Sequence, residues 1–282
     1  MNFSDSYPFS EALKSLGDRI VMPTSLTSAE LRALDASIRQ QSFFSAQNLL
    51  EDYLTTAKDK ITSLLNPETM QRADRVTATN PQGNVTVGLN DAYARAQLRD
   101  LLKEMGYTPA AEDAGTLQDF FSDARINLVL RTNKQLAQGE GWWVQGQNAA
   151  VLDQFPAQEL FRAESRVKKR DWLSRWRLAG DQTGDPIGTG WTITPDLRLI
   201  ALKNHDIWNW IGSSDLFDDA LDVIWPPFAF NSGMDVRDVD RDETEQLGLL
   251  DKGEAAPEPM NIVSALESFT RKISKFAEEV LA

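Results

Sequence analysis

Three aspartates, Asp238, Asp240 and Asp242, stand at alternate positions in the stretch "DVDRDETEQLG". Alternating carboxylates open a calcium loop, because an oxygen cage takes ligands from its first, third and fifth positions. The rest of that template is missing. Glu243 holds the sixth position, where the sharp turn needs glycine, and Leu249 holds the twelfth, where a bidentate glutamate belongs. The same residues fit a helix start better, with Asp240 as cap, Glu243 completing a capping box and Gly248 as the stop. The single histidine, His205 in "LKNHDIWNW", is the sole imidazole for a Ser-His-Asp arrangement, and no G-x-S-x-G elbow presents a serine to it. A structural hydrogen bond is the expected role of His205. Gly139-Glu140-Gly141 lacks the further glycines and the lysine of a phosphate loop. The absence of cysteine removes disulfides, thiolate metal sites and cysteine nucleophiles. The reading is therefore of a non-enzymatic protein with no catalytic residue, no cofactor and no metal site.

The chain has 282 residues, 41% of them hydrophobic, with 8 Trp and 13 Phe, enough to bury a sizeable core. Its first residues, "MNFSDSYPFSEALKSLG", lack the basic and apolar regions of a signal peptide. No apolar run approaches the roughly 18 residues needed to span a bilayer, so no membrane partner is expected. The net charge is −13, unevenly spread. Gly212 to Pro259 holds 13 acidic and 3 basic residues, whereas Arg162 to Arg177 holds 7 basic and 2 acidic ones. The average argues against a dedicated DNA binder, since affinity for DNA comes largely from neutralised phosphates. The basic island, with Arg166, Lys168, Lys169, Arg170, Arg175 and Arg177, reads either as a solvated face or as a local contact with DNA or an acidic partner.

The elements that would position these groups are mostly helical. Thr27 to Leu65 reads as one long helix, opened by a Thr27/Glu30 capping box and stopped at Asn66-Pro67. The turn-rich "TATNPQGNVTVGL" around residue 80 marks a boundary and contains a short strand-like "NVTV". Helices follow from Asn90 to Met105 and from Thr116 to Gly139. "GEGWWVQGQN" reads as a loop, either closing over the core or offering Trp142 and Trp143 as partner anchors. "ELFRAES", "GWTIT" and "LRLIAL" read as short strands and "RDWLSRWRLAG" as a short helix. At the C-terminus, Ile262, Leu266, Phe269, Ile273, Phe276 and Val280 step by 4 and 3 in turn, a heptad-type seam suited to docking or to folding back on the chain's own core. The expected fold is α+β, mainly α-helical, with a few short strands in the central to C-terminal region. Its expected parts are a helical region at 1–80, a core domain at 81–256 and a docking helix at 257–282.

Three fragments, in order, resemble the phage head morphogenesis family of minor head proteins typified by the protein F of phage Mu. That family has an R-T-E-x-x-x-A helix segment, a middle H-x-x-L-x-G element and a closing P-P-x-H-P-N-C-R-C loop. Here "RTNKQLA" keeps Arg131, Thr132 and Ala137, with Asn133 in place of the acid. "RWRLAG" keeps Leu178 and Gly180, with Arg175 where the histidine would stand. "PPFAFNSGM" keeps Pro226, Pro227 and Asn231, with Ala229 at the histidine and Ser232 and Met234 at the cysteines. The match covers roughly residues 120 to 250.

The resemblance implies a phage or prophage minor head protein that associates with portal and capsid and assists head morphogenesis, DNA packaging or DNA delivery. It would reside in the virion, inside the head or near the portal, and in host cytoplasm during assembly. Ala229, Ser232 and Met234 cannot bind zinc. Phe228 and Phe230 are instead expected to fasten the closing loop by burying aromatic area, with Asn231, Ser232 and Gly233 forming its turn. The alternatives are a phage-delivered effector enzyme and a helical adaptor unrelated to phage, which the neighbouring genes would distinguish.

Overall fold

The computed structural model describes residues 10–34, 36–65, 75–79, 85–89, 91–166 and 169–260. The C-terminal seam from Ile262 through Leu266, Phe269, Ile273 and Phe276 to Val280 lies outside the described residues, as does Lys168. The described chain is an α+β fold, 45% helix and 12% strand. It divides into two compact units, Met1–Gly141 and Trp142–Ala282.

The first unit, Met1–Gly141, contains α1 (Ser10–Asp18), β1 (Ile20–Val21), α2 (Ser28–Arg32), α3 (Ala36–Gln41), β2 (Ser42–Phe43) and α4 (Glu51–Leu65). These are followed by the β3–β4 hairpin (Arg75–Thr79 with Val85–Leu89), α5 (Asp91–Glu104) and α6 (Asp123–Gly146), within which the division falls. Leu16, Phe43, Tyr53, Leu54, Leu98 and Ile126 are among the fully buried residues of its core.

The expected long helix from Thr27 to Leu65 is three separate helices. Thr27 does cap α2, and the capping box with Glu30 is complete. The chain then leaves the helix so that Ser42 and Phe43 can pair in parallel with Ile20 and Val21, which buries Phe43. Gln47 takes a positive φ of 55°, and the Asn48 side chain accepts the Leu50 N–H at 2.9 Å just before α4. Ile38 and Leu49, which a continuous helix would place on one apolar face, are 45% and 65% exposed.

The helix expected from Thr116 starts later, at Asp123. Asp119 accepts the N–H groups of Gly115 and Phe121, while the Ser122 hydroxyl accepts that of Arg125. These short-range bonds hold residues 115–122 as turns. The same helix runs past Gly139, the expected stop, to Gly146, and so absorbs the "GWW" stretch that reads as a loop. Consecutive residues on a helix point about 100° apart. Trp142 is thus 45% exposed and Trp143 only 7%.

The second unit, Trp142–Ala282, is built on a four-stranded antiparallel sheet of order β6-β7-β5-β8. Its strands are β5 (Ala157–Arg162), β6 (Trp191–Ile193), β7 (Leu199–Leu202) and β8 (Met234–Val239). Around it lie α7 (Ala149–Gln154), α8 (Trp172–Thr183), α9 (Ile207–Ile211) and α10 (Arg241–Gln246). The strands and short helix expected between Phe155 and Leu202 are present. Asp240 caps α10 by accepting the Glu243 N–H at 2.8 Å, while the Glu243 carboxylate pairs with Arg198.

Glu159, on the central strand β5, is 4% exposed. Its carboxylate receives Arg198 at 2.7 Å and Arg237 at 2.9 Å. An ionised group buried on a sheet persists only when paired and hydrogen-bonded. Glu159→Gln is expected to lower unfolding stability by roughly 1.5–3 kcal/mol, because it removes the charged acceptor that the two guanidinium groups share, while Arg198 keeps Glu243. Arg237→Gln is expected to cost under about 1 kcal/mol, since the Arg237 side chain is 57% exposed. Urea titration of both variants checks the order.

Candidate functional site

The closing loop lies outside the helices and strands of the second unit and is largely buried. Asp222 through Ala229 are buried without interruption. Phe228 is fully buried and stacks on Trp208 of α9, centroids 5.9 Å apart. Trp208 in turn meets Trp176 of α8 edge-on at 5.1 Å. The Ser232 hydroxyl donates to the Pro227 carbonyl at 2.6 Å and accepts the Met234 N–H at 3.1 Å, which ties the two ends of the loop together. Phe228, Asn231 and Gly233 all have positive φ, at 58°, 49° and 69°. For a bulky side chain such as Phe228 that backbone is strained, and it persists because the surrounding packing determines it.

Phe230 does not fasten the loop as expected. It is 37% exposed. Its backbone does the holding: the N–H donates to the Asp219 carbonyl at 3.0 Å, and its carbonyl accepts from Arg170 at 2.6 Å. In the sequence, Phe228 and Phe230 look equivalent. The positive φ at Phe228 breaks the extended alternation that would put the two side chains on one side.

The basic island is drawn to this loop. Arg162 donates to the Ser232 carbonyl at 3.3 Å, Arg166 to that of Asn231 at 3.0 Å, and Arg170 to those of Phe230 and Asn231. The Phe230 and Asn231 carbonyls lie at the exposed rim of the loop and that of Ser232 on its buried side, so the arginines fasten the rim as well as the interior. Arg170 and Arg175 also share the Asp219 carboxylate, and Arg175 lies 5.1 Å over the Trp172 ring and 4.4 Å over that of Phe217. The two arginines hold the Asp219 carboxyl below the usual carboxylate range, against the upward push of its burial. Arg166, Arg170 and Arg175 are therefore engaged within the unit rather than held out for DNA. Lys169 and Arg177 are exposed.

The structure brings two of the three motif segments together. Arg175 and Gly180 lie on α8, and Asp219 links Arg175 to the backbone of the closing loop. Gly180 is fixed by packing, since a Cβ there would overlap the Trp191 ring. Leu178 is 48% exposed. The third segment lies on α6 in the first unit, where Ala137 is fully buried, Thr132 is half-buried and Arg131 is exposed. Among the described residues no group of three or more His, Asp or Glu side chains could hold a metal ion. His205 does make a structural hydrogen bond, its Nδ1 accepting the Ile207 N–H at 3.2 Å. Sequence reasoning placed Ser232 in the turn without its hydroxyl bonds to Pro227 and Met234, and missed Asp219 and Arg162 as parts of the clasp. A serine two residues before the next strand was a faint signal for an ST-turn; Asp219 gave none.

No protein-family model, curated protein or solved structure matches the chain.

Phe228→Ala is expected to cost about 3–5 kcal/mol, as aromatic truncations in packed cores do. Phe230→Ala is expected to stay within about 1 kcal/mol, being a change at a half-exposed site. Gly180→Ala is expected to cost roughly 1–3 kcal/mol through overpacking against Trp191. Chemical denaturation of the three variants distinguishes these outcomes.

Proposed function

We propose that this chain is a structural protein of phage head assembly, a minor head protein that works on portal and capsid proteins rather than on a chemical substrate. One observation carries the reading. The motif fragments occur in the family's order, and the middle element and closing loop, distant in sequence, meet in one clasp through Asp219. The substitutions at the polar family positions are mutually consistent with that reading. Ala229 is fully buried and Ser232 ties the loop by hydrogen bonds, so the loop is closed without a histidine or cysteines.

The protein acts by presenting helices and exposed apolar side chains to larger neighbours, and by self-association or helix docking through the seam at 262–280. Contact with DNA is local and falls to exposed cations such as Lys169 and Arg177. The site of action is the head interior or the portal vicinity, reached from the host cytoplasm during assembly. No helix among the described residues is long and apolar enough to cross a membrane.

The test is to purify heads assembled by the phage or prophage that encodes the chain, quantify it by mass spectrometry and cross-link it in place. The expected result is a few copies per head, with cross-links to portal or capsid. Absence from assembled heads, together with no binding to purified portal protein, would overturn the reading in favour of an adaptor unconnected with heads.

A further inference from the structure

His205 lies between the end of β7 and the start of α9, and its side chain is 8% exposed. Its Nδ1 accepts the Ile207 N–H at 3.2 Å, which only an unprotonated nitrogen can do. Its Nε2 lies 3.4 Å from Asp185 Oδ2, so the ring's one proton points to that side. The loop that reaches the ring, residues 184–190, has positive φ at Gly184, Gly188 and Gly190. Gly190 lies flat against the imidazole: an added Cβ would be 2.6 Å from its Cδ2. The ring is thus a wedge between a glycine-rich loop and the first turn of α9. That helix carries Trp208, on which Phe228 of the closing loop stacks.

We propose that His205 is an acid-operated latch. Protonation at Nδ1 sets an N–H against the Ile207 N–H, loosens the first turn of α9, and so weakens the aromatic support of the closing loop. The charged groups facing the ring are Asp185 from the loop and Asp206 at the start of α9, and both favour the proton. Lys203, two residues earlier, has its Nζ 2.7 Å from Asp238. Burial outweighs the two aspartates, and the imidazole titrates below its ordinary value. The sign follows from proton linkage. A lowered folded pKa means that the opened state binds the proton more tightly. The latch is fully closed above about pH 6.5, the ordinary histidine value, and its contribution is lost as pH falls through the lower folded value. Each unit of lowering makes opening about tenfold easier in acid. This inference does not depend on the phage-head reading.

With one histidine in the chain, ring NMR signals report His205 alone. The experiment follows those signals and backbone amide exchange, corrected for intrinsic rate, between pH 7.5 and 5.5. A ring pKa below about 6.5 is expected, with loss of protection at Ile207 to Trp210 and at Phe228 to Ser232. His205→Asn keeps an acceptor near the Nδ1 position but does not titrate, and should show no such loss. If that variant does not fold, Asp185→Asn serves instead and should move the ring pKa further down. A ring pKa at or above the ordinary value, protection that does not change with pH, or an equal change in wild type and His205→Asn would each overturn the latch.

Discussion

Backbone that leaves a helix or sheet and enters a protein interior must still find partners for its polar groups. The second unit depends on how that constraint is met between Asp222 and Gly233. An antiparallel bridge between Ala220 and Ala229 serves the loop's buried backbone, and the carbonyls of Phe230 and Asn231 at its exposed rim, with that of Ser232, are met by guanidinium groups from the preceding stretch. Guanidinium suits this work, because several donors lie in one plane and can serve neighbouring carbonyls at once. The Gly233 carbonyl takes the N–H groups of Ala163 and Glu164. Arg162, Arg166 and Arg170 are therefore joined with residues 230–233 into one structural piece, although some sixty positions separate them in the chain.

Around that piece the tryptophans set the shape. Trp176, Trp208 and Phe228 form a continuous aromatic run, and Trp191 fills the space left by the missing side chain of Gly180. Indole N–H groups lock two of these rings: that of Trp176 to the Thr192 carbonyl at 3.2 Å and that of Trp208 to the Leu202 carbonyl at 2.9 Å. Rings held at both face and edge leave little freedom for repacking. On the sheet, the Glu159 carboxylate joins Arg198 ahead of β7 to Arg237 on β8 and fixes the order of the strands by charge as well as by register.

Much of this was legible in the residues, unevenly. Strands β5, β6 and β7 and helix α8 were readable because turn residues bound short apolar runs, and the caps at Thr27 and Asp240 because their spacing has a local cause. The supposed long helix failed at Ser42 and Phe43. Their pairing with Ile20 and Val21 is a distant contact that no local pattern contains. The loop expected at Trp142 and Trp143 failed for the opposite reason. Glycine is a weak helix former but does not forbid a helix, and packing outweighed the propensity. The difference between Phe228 and Phe230 could not be read at all, since it depends on backbone angles imposed by the finished clasp.

The use of arginines as internal donors changes how the protein meets other molecules. Arginines paired with carboxylates and carbonyls of their own unit have their donors already engaged, and the chain as a whole carries a net charge of −13. Such a body is repelled from polyanions when free in solution, and added salt relaxes that repulsion instead of breaking an attraction. For a body of this charge, approach to any polyanion requires a neighbour that first holds it close, within reach of exposed cations such as Lys169 and Arg177.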